Sequence, residues 1–242
     1  MNKIKKLRKS FKSFMIDGYL VPKNDDYFNE YVRESNDRLK FISNFSGSAG
    51  FALIMKNKNY LFVDGRYTIQ ARMQSGKNFK IISIPEKFPK NVLKTKKKLI
   101  IGFDPKLHGE KQLVFLFGIK NIVLKPLNRN LIDDIWSKKP KDLIKPFFSL
   151  SKKHAGQSSQ EKISKIKNVL LKNKIDYLLV TAPENIAWIL NIRGHDSAFS
   201  PIPNARLLIN SKGGIDLFSQ LKKIKKIKKT FSKKIDFYDE NK

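Results

Sequence analysis

Two distant stretches of the sequence share one pattern. The segment 16–21 (IDGYLV) is echoed at 175–180 (IDYLLV), and an amphipathic helix pattern precedes both. The helix end at 43–47 (SNFSG) is echoed at 190–194 (LNIRG), and an apolar run of strand length follows each. Such a repeated order of elements indicates internal duplication. The chain is therefore predicted to contain two related α/β domains.

The first copy is predicted to alternate helices with strands. A short helix is predicted at 24–31, capped by one of its first residues, and a second at 38–45, where apolar residues recur at helical spacing. The apolar runs 51–55 and 60–63, joined by a polar turn, predict a hairpin. Further strands are predicted at 79–84, 99–103 and 121–124. The alternation predicts a mixed β-sheet flanked by helices.

The predicted domains are 1–137 and 154–242, with a lysine- and proline-rich linker at 138–153. The second domain has fewer predicted elements than the first, so it is expected to be truncated.

Two capping boxes predict helix starts in the second copy. Ser158 is followed by Glu161, and Thr181 by Glu184, each ahead of an apolar helical pattern. Trp188 lies among aliphatic residues of the second of these helices and is predicted to be in the core.

The formal net charge of +29 raises nucleic acid as a partner. The charge is mostly lysine scattered along every segment, which favours solvated surfaces instead. The strongest local case is 222–234 (KKIKKIKKTFSKK), but its apolar residues recur at three- and four-residue steps. That spacing predicts an amphipathic helix with a solvated lysine face. Nucleic-acid binding stays as a less favoured alternative.

The chain contains no cysteine, which excludes disulfides and thiolate metal sites. The basic N-terminus is interrupted by polar residues before a secretory apolar region could form, and no apolar run reaches the ~18 residues that a membrane-spanning helix needs. We therefore expect a cytoplasmic protein that does not interact with membranes.

No catalytic or metal-ligating group is predicted. His108, His154 and His195 are far apart, without carboxylates at ligand spacing, and His195 with Asp196 is predicted to lie on the surface in a turn. The glycine-rich segment 46–50 lacks the Lys-Ser/Thr ending of a phosphate-binding loop and follows a helix. Its glycines are predicted to permit a tight passage from helix to strand.

Longer motifs resemble the N-terminal part of Xaa-Pro aminopeptidases (aminopeptidase P). They are RLKFISNFSGSAG (38–50), VDGRYTIQA (63–71), GFDP (102–105), NLIDDIW (130–136), HAGQSSQEKI (154–163), DYLLVTAPENIAWILNIRG (176–194) and DFYDE (236–240). The resemblance implies two domains of the creatinase N-terminal type.

The resemblance implies that members of that family have a third domain, which has the pita-bread fold and is catalytic. This domain holds two Mn²⁺ ions through two Asp, one His and two Glu residues. The enzyme removes an N-terminal residue that precedes proline, and the N-terminal domains shape the active-site entrance and a homodimer. None of those metal ligands can be placed in this sequence. The chain alone is therefore expected to be inactive, either as a fragment or split gene product or as a stand-alone interaction module.

One functional residue is carried over from the resemblance. Arg66, in the DGRY motif, matches an arginine associated with substrate binding near the catalytic cleft. A guanidinium suits a peptide carboxylate or carbonyl because its donors form a planar fork. The alternative is that Arg66 pairs with Asp64 and holds the turn, and the two roles are compatible.

Overall fold

The computed structural model describes residues 3–93, 96–231 and 235–240. These residues form two compact units. The first contains the described residues up to Asp26 and Glu34–Lys141, and the second contains Tyr27–Arg33 and the described residues from Asp142 onward. Because Tyr27–Arg33 interrupts the first unit, the chain crosses from one unit to the other three times.

The first unit has a six-stranded mixed sheet in the order β4-β3-β2-β1-β5-β6. Its strands are β1 (Gly18–Pro22), β2 (Phe51–Met55), β3 (Asn59–Asp64), β4 (Lys80–Ile84), β5 (Leu99–Phe103) and β6 (Ile122–Pro126). Its helices are α1 (Lys3–Ser13), α2 (Arg38–Ser43), α3 (Thr68–Ser75), α4 (Pro89–Val92), α5 (Glu110–Phe117) and α6 (Leu131–Ile135). The pairs β1-β2 and β2-β3 are antiparallel and the others are parallel. The predicted hairpin and the mixed sheet are confirmed.

Both faces of this sheet are covered. Tyr19 and Val21 of β1 point into one apolar cluster, which α1 supplies with Ile4, Leu7 and Phe11. Leu20, between them in sequence, belongs to the cluster on the opposite face, as alternation along a strand requires. The helix α5 contributes to this second cluster, so β1 is buried on both faces.

The segment Tyr27–Arg33 differs from the sequence-based expectation, because the helix predicted at 24–31 is absent. Its side chains make long-range contacts within the second unit. Tyr27 donates a hydrogen bond to Glu240, and the Asn29 amide donates to the Asn204 side-chain oxygen at 3.0 Å. Partners this distant in sequence fix an irregular backbone that local helix propensity does not anticipate.

The second unit has a four-stranded sheet in the order β12-β11-β10-β8 and a two-stranded sheet of β7 and β9. Its strands are β7 (Phe148–Ser149), β8 (Tyr177–Val180), β9 (Ile192–Arg193), β10 (Arg206–Asn210), β11 (Ile215–Phe218) and β12 (Asp236–Tyr238). Its helices are α7 (Lys152–Ala155), α8 (Ser159–Lys172), α9 (Pro183–Leu190) and α10 (Leu221–Phe231). Among the described residues no helix is both long and apolar enough to cross a membrane.

One of the two predicted capping boxes forms. The Ser158 hydroxyl accepts from the Glu161 N–H at 3.2 Å, and the Glu161 carboxylate accepts from the Ser158 N–H at 2.7 Å. The box predicted for Thr181 and Glu184 is wrong, since α9 is capped by Ala182 without a side-chain hydrogen bond. Proline at the first position of α9 has no N–H, so one of the N–H groups that lack a partner at a helix start is absent.

The range predicted as a linker contains packed residues. Phe147 is fully buried in the core of the second unit, and its N–H donates to the Lys223 carbonyl at 2.7 Å. The next two residues form β7, which pairs antiparallel with β9. The second unit therefore includes residues before the predicted start at 154.

His108 gives the first unit an expected pH dependence. Its ring is buried, edge-on to Phe103, and burial lowers the pKa of His108 to about 4, although nearby Asp104 opposes this shift. The unfolded chain binds this proton at its ordinary pKa of 6.5, above the folded-state value. Stability should therefore be lost as pH falls from 6.5 towards 4, by as much as about 3 kcal/mol.

Urea unfolding of the wild type and of His108→Gln at pH 7.5 and pH 5 measures this effect. The substitution should reduce the loss of stability at pH 5, whereas His154→Gln, at an exposed position, should leave it unchanged. Equal losses in the wild type and in His108→Gln would contradict the assignment.

Candidate functional site

The candidate site lies where β3 ends and α3 begins. A 3-10 helix, Gly65–Tyr67, joins these two elements. The Asp64 carboxylate caps this helix by accepting from the Arg66 N–H at 2.9 Å. The loop 46–50, which follows α2, contacts the same helix through the Ser48 side chain.

Arg66 and Asp64 form a two-bond ion pair. Nε of Arg66 donates to Oδ1 of Asp64 at 3.2 Å, and Nη2 donates to Oδ2 at 2.8 Å. These hydrogen bonds lower the pKa of Asp64, so its carboxylate is charged at neutral pH. The guanidinium is largely exposed. The pairing considered from the sequence is therefore present, and the rest of the Arg66 fork faces solvent.

Tyr67 contacts Ser48 of the 46–50 loop and Phe45, the residue directly before that loop. Its hydroxyl lies 2.7 Å from the Ser48 hydroxyl, and its ring meets the buried Phe45 ring edge-on at 5.8 Å. The Arg66 guanidinium lies 5.3 Å from the centre of the Tyr67 ring. The ring thus provides a favourable electrostatic surface beside the cation.

The glycines of the loop serve this packing. A Cβ at Gly47 would lie 2.9 Å from the Tyr67 ring. Gly50 has φ +154°, and a Cβ there would lie 2.8 Å from the Phe62 carbonyl oxygen. Because a Cβ would come too close at both positions, glycine is required there. The glycines permit a tight passage from α2 to β2, as predicted.

A polar network joins the 46–50 loop to α3. The Ser46 N–H donates to the Gln74 side-chain oxygen at 2.9 Å, and the Gln70 amide donates to the Ser46 hydroxyl at 2.9 Å. These groups are exposed and offer hydrogen bonds in both directions. Their hydrogen-bonding chemistry suits a polar or anionic ligand, and they include no pair of nucleophile and base.

The three histidines lie in different places. His108 is buried in the first unit, the His154 ring lies 3.0 Å from the Ser151 hydroxyl, and His195 is exposed beside Phe148. In the described parts of the chain, no three His, Cys, Asp or Glu side chains converge on a possible metal position. These residues therefore do not fit the two Mn²⁺ ions that the resemblance implies for the family.

Two predictions about single residues are wrong. Trp188 is 55% exposed and not in the core, because α9 turns its other apolar side chains, including Ile186 and Ile189, inward. Asp196, predicted to be on the surface, is 1% exposed. It accepts hydrogen bonds from Arg33 within the second unit.

The lysine-rich helix is confirmed as amphipathic α10. Ile224, Ile227 and Phe231 pack into the core of the second unit, and most of its lysines are exposed. Lys223 is an exception, since it is buried and its Nζ lies 3.1 Å from Oδ1 of Asp196. The end of the motif, residues 232–234, lies outside the described residues.

Known proteins resemble this chain in both sequence and structure. It is 34% identical over 207 residues to the probable Xaa-Pro aminopeptidase P of Coprinopsis cinerea, covering 81% of this chain and 33% of that protein. It is 32% identical to aminopeptidase P1 of Lotus japonicus, covering 81% of this chain and 31% of that protein. The chain thus spans about a third of the length of these relatives.

The crystal structure of the X-prolyl aminopeptidase of Caenorhabditis elegans, a cytosolic enzyme with a di-nuclear active site, superposes with a TM-score of 0.88 at 25% identity. The match covers 99% of this chain and 42% of that one. Sequence profiles described as creatinase/prolidase N-terminal domain match residues 3–113 and 138–242. The chain therefore belongs to the creatinase/prolidase N-terminal domain family and contains two successive domains of that type.

Proposed function

We propose that this chain is the non-catalytic N-terminal part of a metal-dependent Xaa-Pro aminopeptidase. Two creatinase/prolidase N-terminal matches in one chain, together with relatives that are Xaa-Pro aminopeptidases, support the proposal. In this proposal the two metal ions, manganese by analogy with the family, and the groups that activate water are supplied from outside residues 1–242. The substrates are peptides with proline at the second position, and the chain shapes the entrance to the cleft.

The observation that carries a role for this chain is the exposed, preorganised fork of Arg66. The Asp64 carboxylate binds two of its donors, and this contact supports the proposal that a peptide carboxylate or carbonyl could bind the same fork. Asp64 competes with such a ligand and limits its affinity. Arg66 would bind and orient the peptide and would move no proton, since a guanidinium stays charged.

We further propose a cytoplasmic homodimer. The C. elegans relative is cytosolic, and the resemblance to the family implies dimerisation. Sedimentation velocity of the purified chain at several concentrations tests the second point. A monomer at all concentrations would contradict it.

Arg66→Ala is expected to remove peptide contact without loss of fold. Titration of ¹⁵N-labelled protein with the peptide Ala-Pro-Ala should shift the amide signals of Gly65–Tyr67 in the wild type and leave them unshifted in Arg66→Ala. Because the Arg66–Asp64 pair is exposed, the thermal unfolding midpoint should change little. Met73→Ala, at an exposed position on α3, is the matched control and should bind as the wild type does.

Equal shifts in Arg66→Ala and in the wild type would contradict the role of Arg66. Hydrolysis of Ala-Pro-Ala by the chain with added Mn²⁺ tests the non-catalytic assignment separately. We expect no turnover, and measurable turnover by this chain alone would contradict that assignment.

A further inference from the structure

Strand β8 has an unpaired edge in the part of the chain that the structure describes. It pairs with β10 on one side and stands last in the order β12-β11-β10-β8. An unpaired edge presents backbone N–H and C=O groups that can template a further strand. Tyr177 and Leu179, on one face of β8, are both more than half exposed. An apolar edge of this kind can pair with another polypeptide.

The internal repeat identifies β1 as the counterpart of β8, and Leu20 as the counterpart of Leu179. The strand registers agree, since Leu20 lies opposite Leu53 of β2 and Leu179 lies opposite Leu208 of β10. Leu20 is 1% exposed, whereas Leu179 is 58% exposed. The same position of the same fold is covered in the first unit and open in the second.

Two elements cover β1 in the first unit. Strand β5 pairs with it in parallel, with Gly18 opposite Ile101. Helix α5 then packs over the face that contains Leu20, through the apolar side chains Leu113, Leu116 and Phe117. A strand and the helix that follows it therefore close both the edge and the face of β1.

A third pair of equivalent positions is also covered in the first unit and exposed in the second. Asn44 and Asn191 both have left-handed backbone conformations at the ends of α2 and α9, which aligns Phe41 with Trp188. Phe41 stacks on Trp136, which follows α6, with ring centres 4.5 Å apart. Trp188 is largely exposed and lines a groove of about 390 Å³ between β8, α8 and α9.

All three covering groups in the first unit come from one continuous stretch, 99–136. We propose that the β8 edge, the Leu179 face and the Trp188 groove, together the β8 surface, bind a strand–helix segment from outside this chain. Its strand pairs in parallel with β8, as β5 does with β1. Its amphipathic helix buries Leu179, as α5 buries Leu20.

The charged residues beside the β8 surface indicate which kind of partner can bind there. Lys172 and Lys174, both exposed, lie shortly before β8, and Asp176 stands directly before the strand. A second copy of this chain related by a two-fold axis would pair β8 antiparallel with its own equivalent, unlike the parallel pairing of β5 with β1, and would place the lysines of the two copies at opposite ends of the paired strands. A segment with acidic residues flanking its apolar strand matches the surface better than a second copy does.

A peptide from the first unit provides the probe. A synthetic peptide with the sequence of residues 99–118 contains β5 and α5, and two added glutamates at each end supply acidic flanks. Fluorescence anisotropy of the labelled peptide, titrated with the full chain, should show saturable binding at one site. The same peptide with lysine ends should bind more weakly.

Leu179→Ser should weaken binding about tenfold, the effect of losing one buried leucine side chain. Leu171→Ser is the matched control, since Leu171 is 55% exposed on α8 and does not line the groove. It should bind within about twofold of the wild type. Both positions are exposed, so both variants should fold, which circular dichroism verifies.

Absence of saturable binding to the wild type would overturn the proposal. Binding that Leu179→Ser leaves unchanged would also overturn it, because the peptide would then lie elsewhere. A dimer in sedimentation velocity that Leu179→Ser dissociates would assign the β8 surface to a second copy of the chain.

Discussion

Asp196→Ala is expected to lower the free energy of unfolding of the second unit by about 3–5 kcal/mol. The Asp196 carboxylate is almost fully buried and binds two cations: Nη2 of Arg33 at 2.5 Å and Nζ of Lys223 at 3.1 Å. It also accepts from the Asn204 N–H at 2.7 Å. Without the carboxylate, a buried lysine and a mostly buried arginine lose their shared counter-ion, and removing one partner of such a pair is strongly destabilising.

Urea unfolding in two single-tryptophan backgrounds, Trp136→Phe to follow Trp188 of the second unit and Trp188→Phe to follow Trp136 of the first, separates the two units. The loss should appear in the Trp188 signal. Asp64→Ala is the matched control, since it removes a carboxylate from an exposed arginine pair and should move the midpoint little. A Trp188 transition that is unchanged in Asp196→Ala would contradict this description of the buried cluster.

Phe45→Ala is expected to cost the first unit about 3–5 kcal/mol. Phe45 is fully buried in the cluster that α1 and α2 share, and its ring supports Tyr67 edge-on. The substitution removes apolar burial and leaves a cavity that the surrounding sheet fills only in part. It also releases the ring that flanks Arg66, so peptide contact at Arg66 should weaken as well.

Phe45→Leu should restore most of the stability because it keeps an apolar side chain of similar bulk. Phe148→Ala, at an exposed phenylalanine, should cost far less. Thermal unfolding of the three variants ranks them. If Phe45→Ala and Phe148→Ala were equally stable, the buried position of Phe45 would be wrong.

Local patterns were sufficient to predict most elements of the fold. The hairpin β2-β3, the amphipathic helix α10 and the capping box at Ser158 depend on residues within a few positions of one another. The pairing of Arg66 with Asp64 is of the same kind, since the two are separated by one residue. In such cases both interacting residues lie within the short stretch of sequence from which the feature is predicted.

Other features depend on partners far away in the chain. Asp196 resembles a surface residue in its own turn, and its neighbour His195 is in fact exposed. Its partner Arg33 is 163 positions away in the sequence, so no local pattern predicts that the two residues pair. The same reason accounts for the helix wrongly predicted at 24–31, of which residues 27–31 belong to the second unit.

Trp188 illustrates a third case. Its helix pattern is apolar on most sides, and periodicity alone does not say which side another element will cover. In the first unit the equivalent Phe41 is covered by Trp136, which belongs to a stretch without a counterpart in the described second unit. The exposure of Trp188 therefore follows from sheet topology and not from the sequence of α9.

The position of Tyr27–Arg33 has a consequence for biosynthesis. The ribosome releases this segment early, but its partners Asp196, Asn204 and Glu240 are translated 163 to 213 residues later. The second unit can therefore complete its folding only after the chain as far as Glu240 has left the ribosome. Loop closure over such a distance also slows folding. Cutting the chain at residue 141 would separate the second unit from a part of itself.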